Sequence, residues 1–308
     1  MVMPIAKERS AVAVIGLGSI GGGIAGSLCA AGRHDVIACT RRPVERLFLE
    51  RAEGDAEIPL RNVTKPAETE PVDWVLLCTK VHETPSTAPW LARLCEPSTR
   101  VAVMQNGIDH VARVAPLVGG ATVVSTLVYY NGERLAQDRV RLRRAGDFDL
   151  VVPDDAAGRA FAYLLEGTAL RVLMSADFTT LKWRKLLINA IANPITALTL
   201  QRQAVLRRDD IRALCLAILD EAIAVARADG ARLTDDEAAQ TISTLLTFSP
   251  EFGTSMYFDR LAGRPLEVEA LTGAIVASGE RYGIATPLNR ALLALLRAVS
   301  DAAMSDGS

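Results

Sequence analysis

A glycine-rich turn near the start of the chain constrains the fold more than any other feature of the sequence. It follows an apolar run at 11–15 and precedes a helical pattern that ends at Gly32. Its residues are Gly16, Leu17, Gly18, Ser19, Ile20 and Gly21. In a strand-turn-helix unit these glycines allow a tight turn, approach of the backbone to a pyrophosphate, and close packing of helix on strand. The helix N-terminus adds a positive dipole, so the turn predicts a dinucleotide site. The alternative is a merely flexible glycine loop.

The segment 11–32 carries no charged residue and could imitate a signal or membrane helix. It contains seven glycines, however, and each costs about 1 kcal/mol relative to alanine inside a helix. A strand, a turn and a helix therefore explain the segment better than one continuous span. We expect no membrane partner.

The pattern of apolar residues divides the chain into two parts. Short β-rich runs at 11–15, 35–39, 74–79, 100–104 and 121–130 alternate with helix-like stretches and predict parallel βαβ units. Runs at 140–143 and 148–152 predict an antiparallel appendage. From 177 onwards helical spacing dominates, at 180–200, 209–228, 234–246, 266–281 and 287–299. We predict an α/β protein with a Rossmann-type dinucleotide-binding domain at 1–176 and an all-helical substrate and dimerisation domain at 177–308, with the ligand between them.

Composition narrows the class of partner. The formal net charge is -2, which gives no basic field for nucleic acid. The five cysteines include no CxxC pair, which suits thiols in a reducing, cytoplasmic compartment, and we expect no metal site. The apolar helical part is compatible with a homodimer.

The end of the second predicted strand indicates which dinucleotide binds. An acidic residue that would hold the ribose hydroxyl of NAD is absent after Cys39, and Thr40, Arg41 and Arg42 follow instead. A guanidinium matches a 2′-phosphate, so the sequence favours NADP. The alternative is that both arginines are solvated surface charges.

Two polar residues follow later strands of the predicted sheet. Lys80 comes directly after the run 74–79, and Asn106 comes two residues after the run 100–104. Groups just beyond the carboxyl ends of parallel strands face the ligand, so Lys80 would contact cofactor phosphate or ribose and Asn106 the nicotinamide. Asn106 and Gly107 also form an ordinary turn pair, which leaves both interpretations open for Asn106.

A polar stripe marks the first helix of the second part. Lys185, Asn189 and Asn193 are spaced four apart and share one face, while the residues between them from 186 to 192 are apolar. An unpaired buried amide costs about 1 to 3 kcal/mol, so the stripe makes sense if a polar ligand binds there. The alternative is a stripe facing water. If hydride reaches a ketone carbon, an ammonium such as that of Lys185 can stabilise the new alkoxide and protonate it, and partial burial would lower its pKa towards neutrality.

These features together resemble the ketopantoate reductase family over nearly the whole chain. The resemblance rests on the glycine turn at 16–21, Lys80 after its strand, Asn106 and Gly107 after the next, and the Lys-x3-Asn-x3-Asn-Pro helix that begins at Lys185. It implies a 6-phosphogluconate-dehydrogenase-like arrangement of the two domains. It also implies NADPH-dependent reduction of a small 2-keto acid, with 2-dehydropantoate as the leading substrate and pantoate, on the way to pantothenate, as the product.

The resemblance assigns roles in catalysis. It implies that Lys185 is the general acid, that Asn189 and Asn193 bind the substrate hydroxyl and neighbouring oxygens, and that Asn106 positions the lysine and the nicotinamide.

The resemblance also implies further ligand contacts. Arg41 and Lys80 would hold NADPH, Ser255 the substrate carboxylate, and Glu267, twelve residues later, the substrate hydroxyl or the lysine. Some members carry an asparagine three residues before this serine, where this chain has Phe252, so one polar substrate contact is in doubt.

The position of Glu267 supports two interpretations. In the first turn of a helix after Pro265 it should stay ionised and could hold Lys185 protonated. Such a glutamate can equally be a surface residue that complements the helix dipole.

Two other functions fit the same patterns. A 3-hydroxyacid dehydrogenase also joins a glycine turn to a helical domain with a lysine and an asparagine four apart, but usually has a glycine-rich turn before the lysine, where this chain has none. A non-catalytic, NADP-binding redox sensor would need neither Lys185 nor Glu267.

Overall fold

The computed structural model describes residues 9–305 except 53 and 145, and these fall into two compact units. The first unit contains the described residues up to Gln105 together with His110–Phe178. The second contains Asn106–Asp109 and the described residues from Thr179 onwards. The sequence pattern predicts residues 106–109 within the first domain, whereas their contacts lie within the helical unit. Four residues in the middle of the first unit's sequence therefore belong to the second unit.

Every strand that the described residues form belongs to the first unit. In chain order they are β1 (Ala11–Ile15), β2 (Asp35–Cys39), β3 (Arg46–Glu50), β4 (Ala56–Pro59), β5 (Arg61–Val63), β6 (Trp74–Leu77), β7 (Arg100–Val103), β8 (Thr122–Ser125), β9 (Leu127–Val128), β10 (Asn131–Ala136), β11 (Arg139–Arg143), β12 (Leu150–Pro153) and β13 (Val172–Ser175). A parallel sheet of order β5-β2-β1-β6-β7-β8 confirms the predicted βαβ units. Its central strands β1, β6 and β7 are largely apolar on both faces, as buried parallel strands require.

Both units contain α-helices, most of them with eight residues or more. In chain order the α-helices are α1 (Ser19–Ala31), α2 (Ala88–Leu94), α3 (His110–Val114), α4 (Ala156–Leu164), α5 (Phe178–Thr199), α6 (Asp209–Ala228), α7 (Glu237–Thr247), α8 (Ser255–Leu261), α9 (Ala274–Tyr282) and α10 (Pro287–Ser305). Helices α2, α3 and α8 have fewer than eight residues. Helices α5 to α10 form the second unit, whose core is built around Trp183, Ile218, Ile275 and Leu296.

The predicted antiparallel appendage is only partly correct. Strands β10 and β11 pair antiparallel, as do β12 and β9, but β11 also pairs parallel with β3, and β12 pairs parallel with β13. The resulting sheet, of order β10-β11-β3-β4, packs on α1. A Cβ on Gly22 would lie 2.6 Å from Val140 Cγ2, and one on Gly26 would lie 3.1 Å from Leu47 Cδ2. The additional glycines of α1 therefore allow this second sheet to approach the helix.

The predicted helix at 266–281 is wrong at its start. Residues 264–267 have no helical assignment, and a π-helical segment, Glu269–Gly273, precedes α9. The backbone N–H of Gly273 donates to the carbonyl of Val268 at 2.9 Å, the i to i−5 bond that defines this geometry. Such segments occur often at functional sites.

Two further properties concern the described residues alone. Between residues 9 and 305, leaving out 53 and 145, every helix is too short or too polar to cross a bilayer. The five cysteines are free thiols, buried or half-buried.

Candidate active site

The glycine turn has the geometry that the sequence predicts. Gly16 has φ of +90°, a conformation that L side chains rarely adopt, and a Cβ there would lie 2.9 Å from Thr79 Cγ2. Its backbone N–H donates to the carbonyl of Cys39 at 3.0 Å. The turn therefore lies against the ends of both neighbouring strands, β2 and β6.

The rest of the turn suits a phosphate. A Cβ on Gly21 would collide with the carbonyl oxygen of Gly16, which explains why only glycine fits between the helix and the turn. A Cβ on Gly18 would meet no atom within 4 Å, so the space beside the N-terminus of α1 is open. The first turn of α1 carries no acidic residue. Open backbone N–H groups at the positive end of a helix fit a pyrophosphate.

The segment after β2 presents two exposed cations. Arg41 and Arg42 are both exposed, and the Arg41 side chain is 89% exposed. Arg41 Nη2 lies 2.8 Å from Glu83 Oε1, a partner that the sequence analysis missed because it lies 42 residues away. Exposed guanidinium groups in this position fit a phosphate on the 2′-oxygen of the ribose.

Lys80 lies beside the same partner. The lysine is half-buried and begins the short 3-10 helix Val81–Thr87, and its backbone N–H donates to Glu83 Oε2 at 3.4 Å. The buried Gln105 joins this region to β7, because its Nε2 donates to the Thr79 carbonyl at 3.0 Å and to Thr84 Oγ1 at 2.9 Å. Arg41, Lys80 and Glu83 thus form one polar cluster in the first unit.

In the second unit, α5 carries the predicted stripe on one continuous helix. Lys185 and Asn189 are half-buried, and Asn193 is 3% exposed. The stripe therefore does not face water along its length, which contradicts the solvated alternative. Pro194 lies inside the helix and cannot donate a hydrogen bond to the Ala190 carbonyl.

Two effects act on the Lys185 ammonium. Burial lowers its pKa to about 8, and the negative charge of Glu267 opposes this shift by favouring the protonated form. Lys182, three residues earlier on the same helix, is also half-buried, and its Nζ lies 3.8 Å from Asp229 Oδ2. The two lysines therefore have different counterions.

Glu267 is held by Asn106. The glutamate is only 7% exposed, which contradicts the alternative of a surface residue, and it lies before the π-helical segment instead of in a first helical turn. Asn106 Nδ2 donates to Glu267 Oε2 at 2.9 Å. Gly107 has φ of +106°, and a Cβ there would lie 3.0 Å from the Ala270 carbonyl oxygen. The close approach of the Gly107 backbone to Ala270 therefore lets Asn106 reach the Glu267 carboxylate.

Ser255 lies at the surface of the second unit. It is exposed and begins α8, whose N-cap is Thr254, with Thr254 Oγ1 accepting from the Tyr257 backbone N–H at 3.1 Å. Thr254 Oγ1 also lies 2.7 Å from Thr196 Oγ1 on α5, one turn beyond Asn193. This pair, which the sequence analysis missed, fixes the start of α8 to the helix of the polar stripe. Phe252 is 48% exposed.

Comparison with protein families decides the class. The family model described as ketopantoate reductase PanE/ApbA matches residues 12–154, and the model for its C-terminal part matches residues 177–300. The chain belongs to the ketopantoate reductase family. The resemblance drawn from the glycine turn and the lysine helix is therefore confirmed, and the chain is an oxidoreductase of this family.

Individual relatives agree with the family assignment. A 2-dehydropantoate 2-reductase from Mycobacterium tuberculosis is 40% identical over 292 residues, which cover 94% of this chain and 98% of that protein. One from Caulobacter vibrioides is 38% identical over 291 residues, covering 94% and 99%.

The fold agrees as well. A ketopantoate reductase from Staphylococcus aureus, described as dimeric, superposes with a TM-score of 0.85 at 26% identity, covering 95% of this chain and 99% of that one. The predicted combination of a Rossmann-type part and a helical part is thereby confirmed.

Proposed function

We propose that this chain reduces the ketone of 2-dehydropantoate to the alcohol of pantoate with NADPH as the hydride donor. One observation carries the proposal: a half-buried lysine with its pKa lowered to about 8 is paired electrostatically with a buried glutamate that Asn106 holds. A lysine in this state can give up a proton near neutral pH and stabilise negative charge before it does so.

Three polar residues of the second unit take part in this chemistry. When bound, the dihydronicotinamide supplies the hydride. Lys185 stabilises the charge that develops on the carbonyl oxygen and donates the proton that completes the hydroxyl group. Glu267 keeps the ammonium protonated, because its charge acts against the effect of burial. Asn106 fixes the Glu267 carboxylate through the 2.9 Å hydrogen bond.

We assign substrate binding to the polar stripe and to α8. Asn189 and Asn193 each carry an amide that can donate to and accept from the substrate hydroxyl and its neighbouring oxygens. Ser255 can donate its hydroxyl hydrogen to the carboxylate of the keto acid. Phe252, exposed at the position where some members have an asparagine, leaves the carboxylate end with one polar contact fewer.

The residues of the first unit support binding of NADP rather than NAD. The open N-terminus of α1 beside Gly18 fits the pyrophosphate, and Arg41 and Arg42 fit the 2′-phosphate. Lys80 would contact phosphate or ribose from the neighbouring strand.

The proposed setting is a homodimer in the cytoplasm. The S. aureus relative is described as dimeric, and the free thiols of this chain suit a reducing compartment. Sedimentation of the purified chain would test the assembly.

Steady-state oxidation of NADPH, followed by its absorbance, tests the activity. We expect turnover with 2-dehydropantoate, slower turnover with 2-keto acids that lack its hydroxyl group, and none with 3-hydroxyacids and NADP. Preferred turnover of a 3-hydroxyacid would favour the second enzyme class. Tight NADPH binding without turnover of any 2-keto acid would favour the redox sensor.

A further inference from the structure

A side chain of the edge strand holds the segment that presents the two arginines. Strand β5 pairs parallel with β2, with Asn62 opposite Ala38. Asn62 Nδ2 donates to the Ala38 carbonyl at 2.9 Å and to Thr40 Oγ1 at 2.7 Å, and Asn62 Oδ1 accepts from the Val44 backbone N–H at 3.1 Å. One carboxamide thus joins the start and the end of the segment 40–44.

The hydrogen bonds continue into the segment itself. Thr40 Oγ1, which accepts from Asn62, donates to the Arg42 carbonyl at 2.7 Å. The Thr40 backbone N–H donates to the Val63 carbonyl at 3.0 Å. The backbone around Arg41 is therefore fixed on both sides, although the Arg41 side chain is 89% exposed.

We propose that Asn62 is a positioning residue that sets the preference for a nucleotide with a 2′-phosphate, an inference that rests on the proposed use of NADPH. A charged side chain on a fixed backbone loses less conformational freedom on binding than one on a free loop. The carboxamide acts through the segment, because its three bonds are made to residues 38, 40 and 44 on either side of the arginines. NADPH and NADH differ only in the 2′-phosphate, so loss of the fixed arginines should lower NADPH affinity more than NADH affinity.

The test compares binding of NADPH and of NADH, which differ only in that phosphate, by titration of dihydronicotinamide fluorescence with no keto acid present. In Asn62→Leu, which keeps the side-chain size and removes all three hydrogen bonds, we expect NADPH affinity to fall about tenfold and NADH affinity to stay within about twofold. Arg41→Ala serves as the reference for loss of the 2′-phosphate contact.

A second pair of variants covers the case in which Asn62→Leu does not fold. Thr40→Val removes the hydroxyl that joins Asn62 to the Arg42 carbonyl, and Thr40→Ser keeps it. We expect Thr40→Val to lower NADPH affinity selectively and Thr40→Ser to restore it. Equal losses of NADPH and NADH affinity in Asn62→Leu or Thr40→Val would indicate general damage to the nucleotide site and overturn the proposal, as would unchanged affinities.

The wild-type protein separates this inference from the function on which it rests. Equal wild-type affinity for NADPH and NADH would remove the proposed cofactor preference itself. A wild-type preference for NADPH that persists in Asn62→Leu and in Thr40→Val would leave the proposed function intact and remove only the role of Asn62.

Discussion

Asn106 donates a hydrogen bond to Glu267 at 2.9 Å, although 161 positions separate the two residues in the chain. The contact lies within the second unit, because residues 106–109 belong there by their contacts. Asn106 therefore binds the same carboxylate whose charge raises the pKa of Lys185. An amide can donate to a carboxylate without adding charge, so it orients Glu267 and leaves its effect on the lysine intact.

Removing the proposed acid should stop the reaction. We expect Lys185→Ala to lower kcat by roughly 100-fold to 10,000-fold, the usual contribution of a positioned proton donor, with NADPH binding largely retained. Lys182→Ala is the matched control on the same helix, since its ammonium lies near Asp229, and it should keep most of the activity. Turnover of Lys185→Ala at the level of Lys182→Ala would remove Lys185 from the mechanism.

The pH dependence of kcat/KM should report the Lys185 pKa. Reduction needs the protonated amine, so kcat/KM should be constant at lower pH and fall as pH rises through about 8. Glu267→Gln removes the charge that raises this pKa, so the decline should begin at lower pH. A decline that does not move, or moves to higher pH, would contradict the proposed pairing of Glu267 with Lys185.

Gly107→Ala should lower kcat by displacing Asn106, although it removes no polar group. A Cβ at φ of +106° is strained and would lie 3.0 Å from the Ala270 carbonyl, which displaces Asn106 from Glu267. We expect kcat to fall by roughly tenfold to 100-fold, as for other misplaced catalytic groups. Gly120→Ala is the matched control, because Gly120 has φ of +93° with no atom within 4 Å of its Cβ. Both variants should lose about 1 to 2 kcal/mol of unfolding free energy, and equal losses of kcat would contradict the argument.

Glu83 should compete with the 2′-phosphate for Arg41. The two side chains lie 2.8 Å apart, and an exposed pair of this kind contributes at most about 1 kcal/mol. Glu83→Gln should therefore raise NADPH affinity by up to about fivefold and leave NADH affinity unchanged. Arg41→Ala should lower NADPH affinity by about tenfold or more, as expected for lost charge-assisted bonds. Binding of the two nucleotides in both variants gives the comparison, and a Glu83→Gln variant that binds NADPH more weakly would exclude competition.

His34 should make the stability depend on pH. It is buried, accepts from the Ser10 backbone N–H at 3.2 Å and lies 2.9 Å from the Leu164 carbonyl. Burial lowers its pKa below the ordinary value, so the unfolded chain takes up a proton at higher pH than the folded chain. The free energy of unfolding should therefore be retained above about pH 6.5 and decrease as pH falls below it. Chemical denaturation between pH 7 and 5 measures this slope, which should be shallower in His34→Leu.

The sequence predicts those elements whose pattern is local. The apolar runs gave the bounds of β1, β2 and α6, and the spacing of Lys185, Asn189 and Asn193 gave one face of a continuous helix. Strands β3 and β4 were missed because they are short and carry charged residues such as Arg46, Glu50 and Glu57, whereas the predicted parallel strands were more continuous apolar runs.

The remaining features depend on contacts between distant residues. The contact of Glu267 with Asn106 and the ion pair of Arg41 with Glu83 join residues far apart in the chain, and neither leaves a periodic signal in the sequence. The π-helical segment depends on a single shifted bond, from Gly273 to Val268. A local pattern cannot distinguish that shift from an ordinary helical turn.

Because residues 106–109 belong to the helical unit, that unit is assembled from two separate parts of the chain, which matters during synthesis. As the ribosome produces the chain, Asn106 emerges 161 residues before Glu267, so their hydrogen bond can form only after α5 to α8 have been synthesised. A fragment that starts at residue 177 would contain the lysine helix yet lack this amide, and adding the N-terminal fragment in trans would be needed to supply it.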